Sequence, residues 1–213
     1  TGCEVVVVSM GPPPAEGMLR ELLARGADRA VLVSAREFGG SDTFATSQIL
    51  AAAIKKIGVE KGDIVFCGRQ AIDGDTAQVG PAIAEHLTIP HAAWVAEIVD
   101  VNEKAIQVRQ DLVSVSQISE IPYPCLLTID KDTCVPRLPS YLLKKATADR
   151  PIRILSFEDM PDQDLSRYGL VGSPTSVERM FAPPEGEKQV YLEGGAKEKA
   201  EELFSILTGK KII

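Results

Sequence analysis

Three times in its first ninety residues the chain repeats a short apolar strand, a turn and a helix-patterned run, and this alternation constrains the fold more than any other feature. Glu4 to Val8 reads EVVVV, a continuous β-branched run of the kind a strand buried on both faces requires. Gly11-Pro12-Pro13-Pro14 stops it, and the next run places Met18, Leu19, Leu22 and Leu23 on one helical face, closed by Gly26. Ala30 to Ser34 is a second strand. The loop Phe38 to Thr43 then leads into a helix carrying Ile49, Leu50, Ala53, Ile54 and Ile57, ended by Gly58. Asp63 to Cys67 is a third strand, and Pro81 to Leu87 a short helix. Right-handed crossovers make such strands parallel. The expectation is an α/β fold with a Rossmann-like, open, mostly parallel sheet.

Beyond residue 90 the pattern changes. Trp94 to Val101, Ile106 to Asp111 and Leu112 to Ser119 alternate apolar and polar positions with no helix between them, which predicts an antiparallel ribbon appended to the sheet. Pro124 to Ile129 returns to a buried-strand pattern. After Leu138 come a basic stretch at Lys144-Lys145, a strand at Ile152 to Phe157, and a polar segment whose Pro161, Pro174, Pro183 and Pro184 make it a poor independent core. A terminal helix follows from Gly195 to Leu207, with Ala200, Leu203, Phe204 and Leu207 on one side. This divides the chain into a nucleotide-binding domain over 1–160 and a C-terminal arm over 161–213 that docks on a partner subunit.

Composition narrows the function. The 213 residues carry a net charge of −7, so no basic excess suits a nucleic-acid backbone. No apolar run approaches the roughly 20 residues that span a bilayer, and a soluble, cytoplasmic protein is expected. Cys3, Cys67, Cys125 and Cys134 are scattered without a CxxC pair, which reads as reduced thiols and not a disulfide framework. The two histidines, His86 and His91, have no partner at ligand spacing, and no serine sits in a GxSxG turn. Neither a metal site nor hydrolysis is expected.

Ligands of an open parallel sheet bind outside the carboxyl ends of its strands, where helix N-termini present free amides. Three loops lie there: Ser9-Met10-Gly11, Gly39 to Thr43, and Gly68 to Pro81. In the last, Pro81 fits the first helical position, which puts Gly80 at the N-cap and leaves Thr76 to Val79 as exposed backbone ahead of the helix. Small residues in that place wrap a phosphate with amide hydrogens and the Thr76 hydroxyl. Asp73 and Asp75 oppose an anion unless they turn back on the loop or meet a ribose hydroxyl, and Arg69 is the one cation there to offset them. An ordinary capped turn is the competing reading.

The run from Gly68 through Ala71-Ile72-Asp73-Gly74-Asp75-Thr76-Ala77-Gln78-Val79-Gly80-Pro81 resembles the signature of the electron transfer flavoprotein β subunit. Val8 to Pro12 with Leu22 to Asp28 (LLARGAD) is similar to that family's second strand and helix, and Phe38 to Ser47 (FGGSDTFATS) to its next loop. The likeness covers residues 4 to 150 and weakens beyond. It implies an adenine nucleotide in the edge crevice, AMP in the ordinary shuttles and a second FAD in the bifurcating members. Ser9, Met10 and Gly11 would lie beside the adenine. Asp73 to Ala84 would surround ribose and phosphates, among them Gly74, Asp75, Ala77 and Pro81, with Thr76, Gln78, Val79, Gly80 and Thr43 as direct contacts.

Gly169 to Val177 (GLVGSPTSV), followed by Pro183-Pro184, resembles the bifurcating type, so FAD in this subunit with NADH oxidation at that flavin is expected. No side chain is then needed as acid, base or nucleophile. The resemblance implies a heterodimer with an α subunit carrying its own FAD, and an acyl-CoA dehydrogenase, ferredoxin or flavodoxin as redox partner. The alternatives are a shuttle with structural AMP and a non-redox adenine-nucleotide module. Family members begin with a strand and helix ahead of the segment seen here, so the first nucleotide-binding loop is expected to be missing. Arg109 and the ribbon over Trp94 to Ser119 read as a solvated hairpin.

Overall fold

The strand–helix alternation is realised. A computed structural model of the chain describes residues 2–72, 74–182 and 189–212. It divides into two compact units, Thr1–Ser176 and Val177–Ile213. In the first, β1 (Val6–Met10), α1 (Glu16–Arg25), β2 (Arg29–Val33), α2 (Thr43–Ile57), β3 (Ile64–Gly68) and α3 (Val79–Leu87) follow one another. Then come β4 (His91–Val101), β5 (Ala105–Leu112), β6 (Val115–Pro122), β7 (Cys125–Ile129), the short α4 (Tyr141–Ala146) and β8 (Arg153–Leu155). The second unit holds α5 (Ala196–Gly209).

The strands form two sheets, ordered β1-β2-β8 and β3-β7-β4-β5-β6. Pairings β1–β2, β2–β8, β3–β7 and β4–β7 are parallel, whereas β4–β5 and β5–β6 make the antiparallel ribbon. This is the α/β, parallel-dominated architecture expected, with its single sheet replaced by two among the described residues. β1 differs from the doubly buried strand its composition suggests: all five residues are half-buried, and among the described residues it pairs only with β2. β3 likewise pairs, among the described residues, on one side only.

One helix serves both sheets. Ile49 and Ala53 of α2 pack with Val31, Val33 and Leu155 and against Val6, Val8 and Met10 of β1. Ala51 faces the other way, into a cluster with Ile83, Ala84 and Leu126 that Val65 and Cys67 of β3 join. Leu19 and Leu23 of α1 cover the opposite face of the first sheet with Ala30 and Leu32. Gly26 closes α1 in the left-handed region at φ 114°, where its N–H reaches back to Leu22 and Leu23 carbonyls.

The proline-spaced stretch after β8 contributes to the core of the first unit. Tyr168 is 3% exposed, meets the tilted Phe38 ring at 5.9 Å and Phe157 edge-on at 5.3 Å, and donates its hydroxyl to the Asp162 carbonyl. Met160 is buried in the same cluster. In the second unit α5 leaves Leu203 and Phe204 exposed on its apolar side.

Candidate functional site

The loop from Gly68 to α3 leaves the carboxyl end of β3, as the topology requires. α3 begins earlier than Pro81 would suggest: Gln78 is the N-cap and Val79 the first helical residue, which corrects the assignment of Gly80 as the cap. The reason is physical. None of the first four helical N–H groups has an intrahelical acceptor, so proline is tolerated at the third position as well as the first. Gly80 instead packs inside the first turn. It is buried, and a Cβ there would fall inside 3.0 Å of the Thr128 methyl and 3.5 Å from the Cys67 Cβ. Its missing side chain lets the start of α3 rest directly on β3 and β7.

Ahead of the helix the backbone is wound into an unusual path. Asp75 and Ala77 hold positive φ, 52° and 55°, and Gln78 returns to the right-handed region at φ −93°, ψ −29°. A left-handed residue followed by a right-handed one turns successive N–H groups toward one concavity, an anion nest. Here these are the amides of Ala77, Gln78 and Val79. Among the described residues none of them, nor those of Thr76 and Gly80, finds an acceptor. The carboxylate of Asp75 is engaged elsewhere, accepting from the Gln70 side chain at 2.9 Å, while its N–H bonds the Ala71 carbonyl. Asp73 lies outside the described residues. Gly74, Asp75 and Thr76 are exposed, and Pro81 is half-buried.

Thr43, the first residue of α2, is brought to this loop: its hydroxyl donates to the Gln78 side-chain oxygen at 3.0 Å. Ser9 and Met10 end β1 and Gly11 follows it at the same carboxyl edge but in the other sheet, half-buried, with no hydrogen bond to the described residues of the loop. Met10 packs against the core cluster of Ile49 and Ala53, and the Gly11 N–H bonds the Val33 carbonyl.

Among the described residues Arg69 makes no ion pair with Asp75. Its guanidinium pairs with Asp130 at 2.9 Å and lies over the Trp94 ring at 4.2 Å, and its N–H bonds the Ile129 carbonyl. Trp94 itself sits at φ 60°, its N–H taken by the buried Thr128 hydroxyl at 3.0 Å. Sequence reading missed this arrangement, since Arg69 and Asp130 are 61 residues apart. The thiols of Cys67 and Cys125 are pushed up to about 11 by burial, so neither is a ready nucleophile. Arg109 is held above its usual value by the hydrogen bonds it donates to the Asp111 and Glu97 carboxylates, a surface cluster on the ribbon.

Asp42 is a further residue the sequence did not single out. It caps α2 by accepting the Ala45 N–H at 3.0 Å, and its second oxygen accepts the Thr175 hydroxyl and N–H at 2.7 and 3.0 Å. The α2 N-terminus is therefore filled by the protein's own carboxylate, while among the described residues no carboxylate caps that of α3.

No helix among the described residues is long and apolar enough to cross a membrane. Comparison with known proteins agrees with the geometry. A family model described as the electron transfer flavoprotein domain matches residues 1–160. The electron transfer subunit gamma of acryloyl-CoA reductase from Anaerotignum propionicum is 48% identical over 219 residues, covering 100% of this chain and 81% of its own. The electron transfer flavoprotein subunit beta of Clostridium acetobutylicum is 48% identical over 178 residues, 84% of this chain and 67% of its own. Subunit CarD of the caffeyl-CoA reductase–Etf complex from Acetobacterium woodii is 46% identical over 213 residues, 100% and 80%. With its parallel sheets, its amide-lined α3 loop and a match over three quarters of its length, the chain belongs to the electron transfer flavoprotein domain family.

Proposed function

We propose that the chain is the β-type subunit of a heterodimeric electron transfer flavoprotein and holds FAD at the loop before α3. The observation that carries this reading is the nest of Ala77, Gln78 and Val79, whose amides lack acceptors among the described residues. These groups fit the phosphates of an adenylate, with the exposed Thr76 hydroxyl and the Thr43–Gln78 pair as further polar contacts. Asp73 and Gly74 are assigned to the ribose side of the loop, with Asp75 held back by Gln70. Gly80 and Pro81 bring the helix start against the sheet, and Ser9, Met10 and Gly11 line the adenine side. When bound, FAD supplies the electron transfer, here with NADH as donor. The residues named bind and orient it, and no side chain acts as acid or base.

FAD is favoured over AMP by the Gly169 to Val177 segment and by relatives whose names place them in acryloyl-CoA and caffeyl-CoA reductase complexes. The reading includes electron bifurcation, an α subunit with its own FAD, an acyl-CoA dehydrogenase-type partner with ferredoxin or flavodoxin as second acceptor, and a cytoplasmic location. The second unit, with its exposed Leu203 and Phe204, is the part assigned to docking on the partner subunit. The test is the nucleotide released on denaturing the purified complex. Two FAD per heterodimer support the reading, and one FAD with one AMP assigns an ordinary shuttle. No flavin with the α subunit present overturns both. Replacing Thr76 and Gln78 by leucine should abolish nucleotide retention; unchanged content would remove the site.

A further inference from the structure

The chain after β8 returns to the loop between β2 and α2 and is fastened there at several points. Leu170 N–H bonds the Gly39 carbonyl at 3.1 Å. Gly169, at φ 59°, leaves no room for a Cβ beside the Glu37 and Gly39 carbonyls. The Ser173 hydroxyl accepts the Asp42 N–H at 2.8 Å and donates to the Gly169 carbonyl at 2.7 Å. Asp42 then receives both the N–H and the hydroxyl of Thr175. Two residues later the second unit begins. Burial works to raise the Asp42 carboxyl, but the hydrogen bonds from Ala45, Thr175 and Phe44 outweigh it and hold the group below the usual carboxylate range.

Asp42 is also the residue immediately before Thr43, whose hydroxyl reaches the Gln78 side chain at the lip of the nest. One carboxylate thus caps α2, holds Thr175 and precedes a residue of the nucleotide edge. We infer that Asp42 is a positioning residue coupling the two: an adenylate bound at the nest and the fastening of residues 169–175 stabilise one another through the start of α2. The inference rests on the nucleotide reading above. It needs no movement of any particular size, only that the N-terminal turn of α2 is better ordered when both of its neighbours are in place. Such coupling is reciprocal by thermodynamic necessity.

The test uses the complete chain in its native complex, stripped of nucleotide, with AMP and FAD as probes. Asp42→Asn keeps an N-cap of comparable strength for Ala45 but offers Thr175 an amide in place of the second carboxylate oxygen. Thr175→Val removes the hydroxyl, and Thr175→Ser retains it. Amide hydrogen exchange over residues 170–176 and the dissociation constant for AMP are the two readouts. In the wild-type protein AMP should slow exchange over 170–176. Asp42→Asn and Thr175→Val should speed it without ligand, blunt the response to AMP, and weaken AMP binding about fivefold or more. Thr175→Ser should behave as wild type, which a general packing defect would not allow. Equal AMP affinity in all four proteins, with exchange over 170–176 indifferent to AMP, overturns the coupling and leaves the nucleotide site standing. Failure of the wild-type protein to bind either AMP or FAD overturns the coupling together with the reading beneath it.

Discussion

Replacing Gly80 by alanine tests whether the first turn of α3 is seated on the sheet as closely as the structure has it. A Cβ at this position would lie inside 3.0 Å of the Thr128 methyl, with Cys67 Cβ at 3.5 Å and Leu126 Cδ2 at 3.7 Å. Thr128 is 1% exposed, and its hydroxyl is fixed by the Trp94 N–H, so the methyl cannot rotate away without breaking that bond. The helix must therefore lift, at an overpacking cost of about 1–3 kcal/mol. Alanine returns at most about 1 kcal/mol of helix propensity. The net expectation is a loss of about 1–2 kcal/mol, read from urea denaturation midpoints. Thr128→Ser removes the methyl and keeps the hydroxyl, at about 1 kcal/mol for the buried group. Combined with Gly80→Ala, the new Cβ fills the vacated space, so the pair should be less destabilised than the sum by about 1 kcal/mol or more. Strict additivity within about 0.5 kcal/mol, or an alanine variant as stable as wild type, would refute the close seating.

The Arg69–Trp94 stack offers a spectroscopic test, because Trp94 is the only tryptophan in the chain. Arg69→Met should shift Trp94 emission and lower stability by about 1 kcal/mol; an unchanged spectrum would mean that the stack is not populated. Asp159 is held down to about 2, foremost by its hydrogen bond from Lys56 and then by that from the Ser156 N–H. A depressed carboxyl stabilises the fold above its unfolded value of 3.8 and loses that contribution as pH falls toward 2. Asp159→Asn should therefore flatten the stability profile of the first unit between about pH 4 and pH 2 relative to wild type, and identical profiles would remove the Lys56 pairing.

The fold was legible where local pattern and packing agree. Apolar periodicity places α1 and α2 because Leu19, Leu23, Ile49 and Ala53 are the residues that become buried, and Gly26 and Gly58 end both helices. The loop ahead of α3 was legible as exposed small-residue backbone, yet its nest conformation was not, since Ala77 gives no chemical hint of a positive φ. What escaped was pairing across long separations. Arg69 looks free in sequence and is spent on Asp130 and Trp94. Asp42 looks like a plain cap, and its Thr175 partner is 133 residues away. Tyr168, amid prolines and polar residues, looks like loop until Phe38 and Phe157 close around it. Periodicity reports which face is apolar, and a contact between distant segments leaves no period to find.

The second flanks of β1 and β3, which carry no strand among the described residues, bear on how the polypeptide behaves in concentrated solution. Among the described residues each strand is paired along one flank only, and Phe66 in the middle of β3 is 55% exposed. Such a flank accepts any extended segment of matching direction. Produced as this sequence alone, the protein should show concentration-dependent self-association that begins at these strands, and a lysine in place of Phe66 should relieve it.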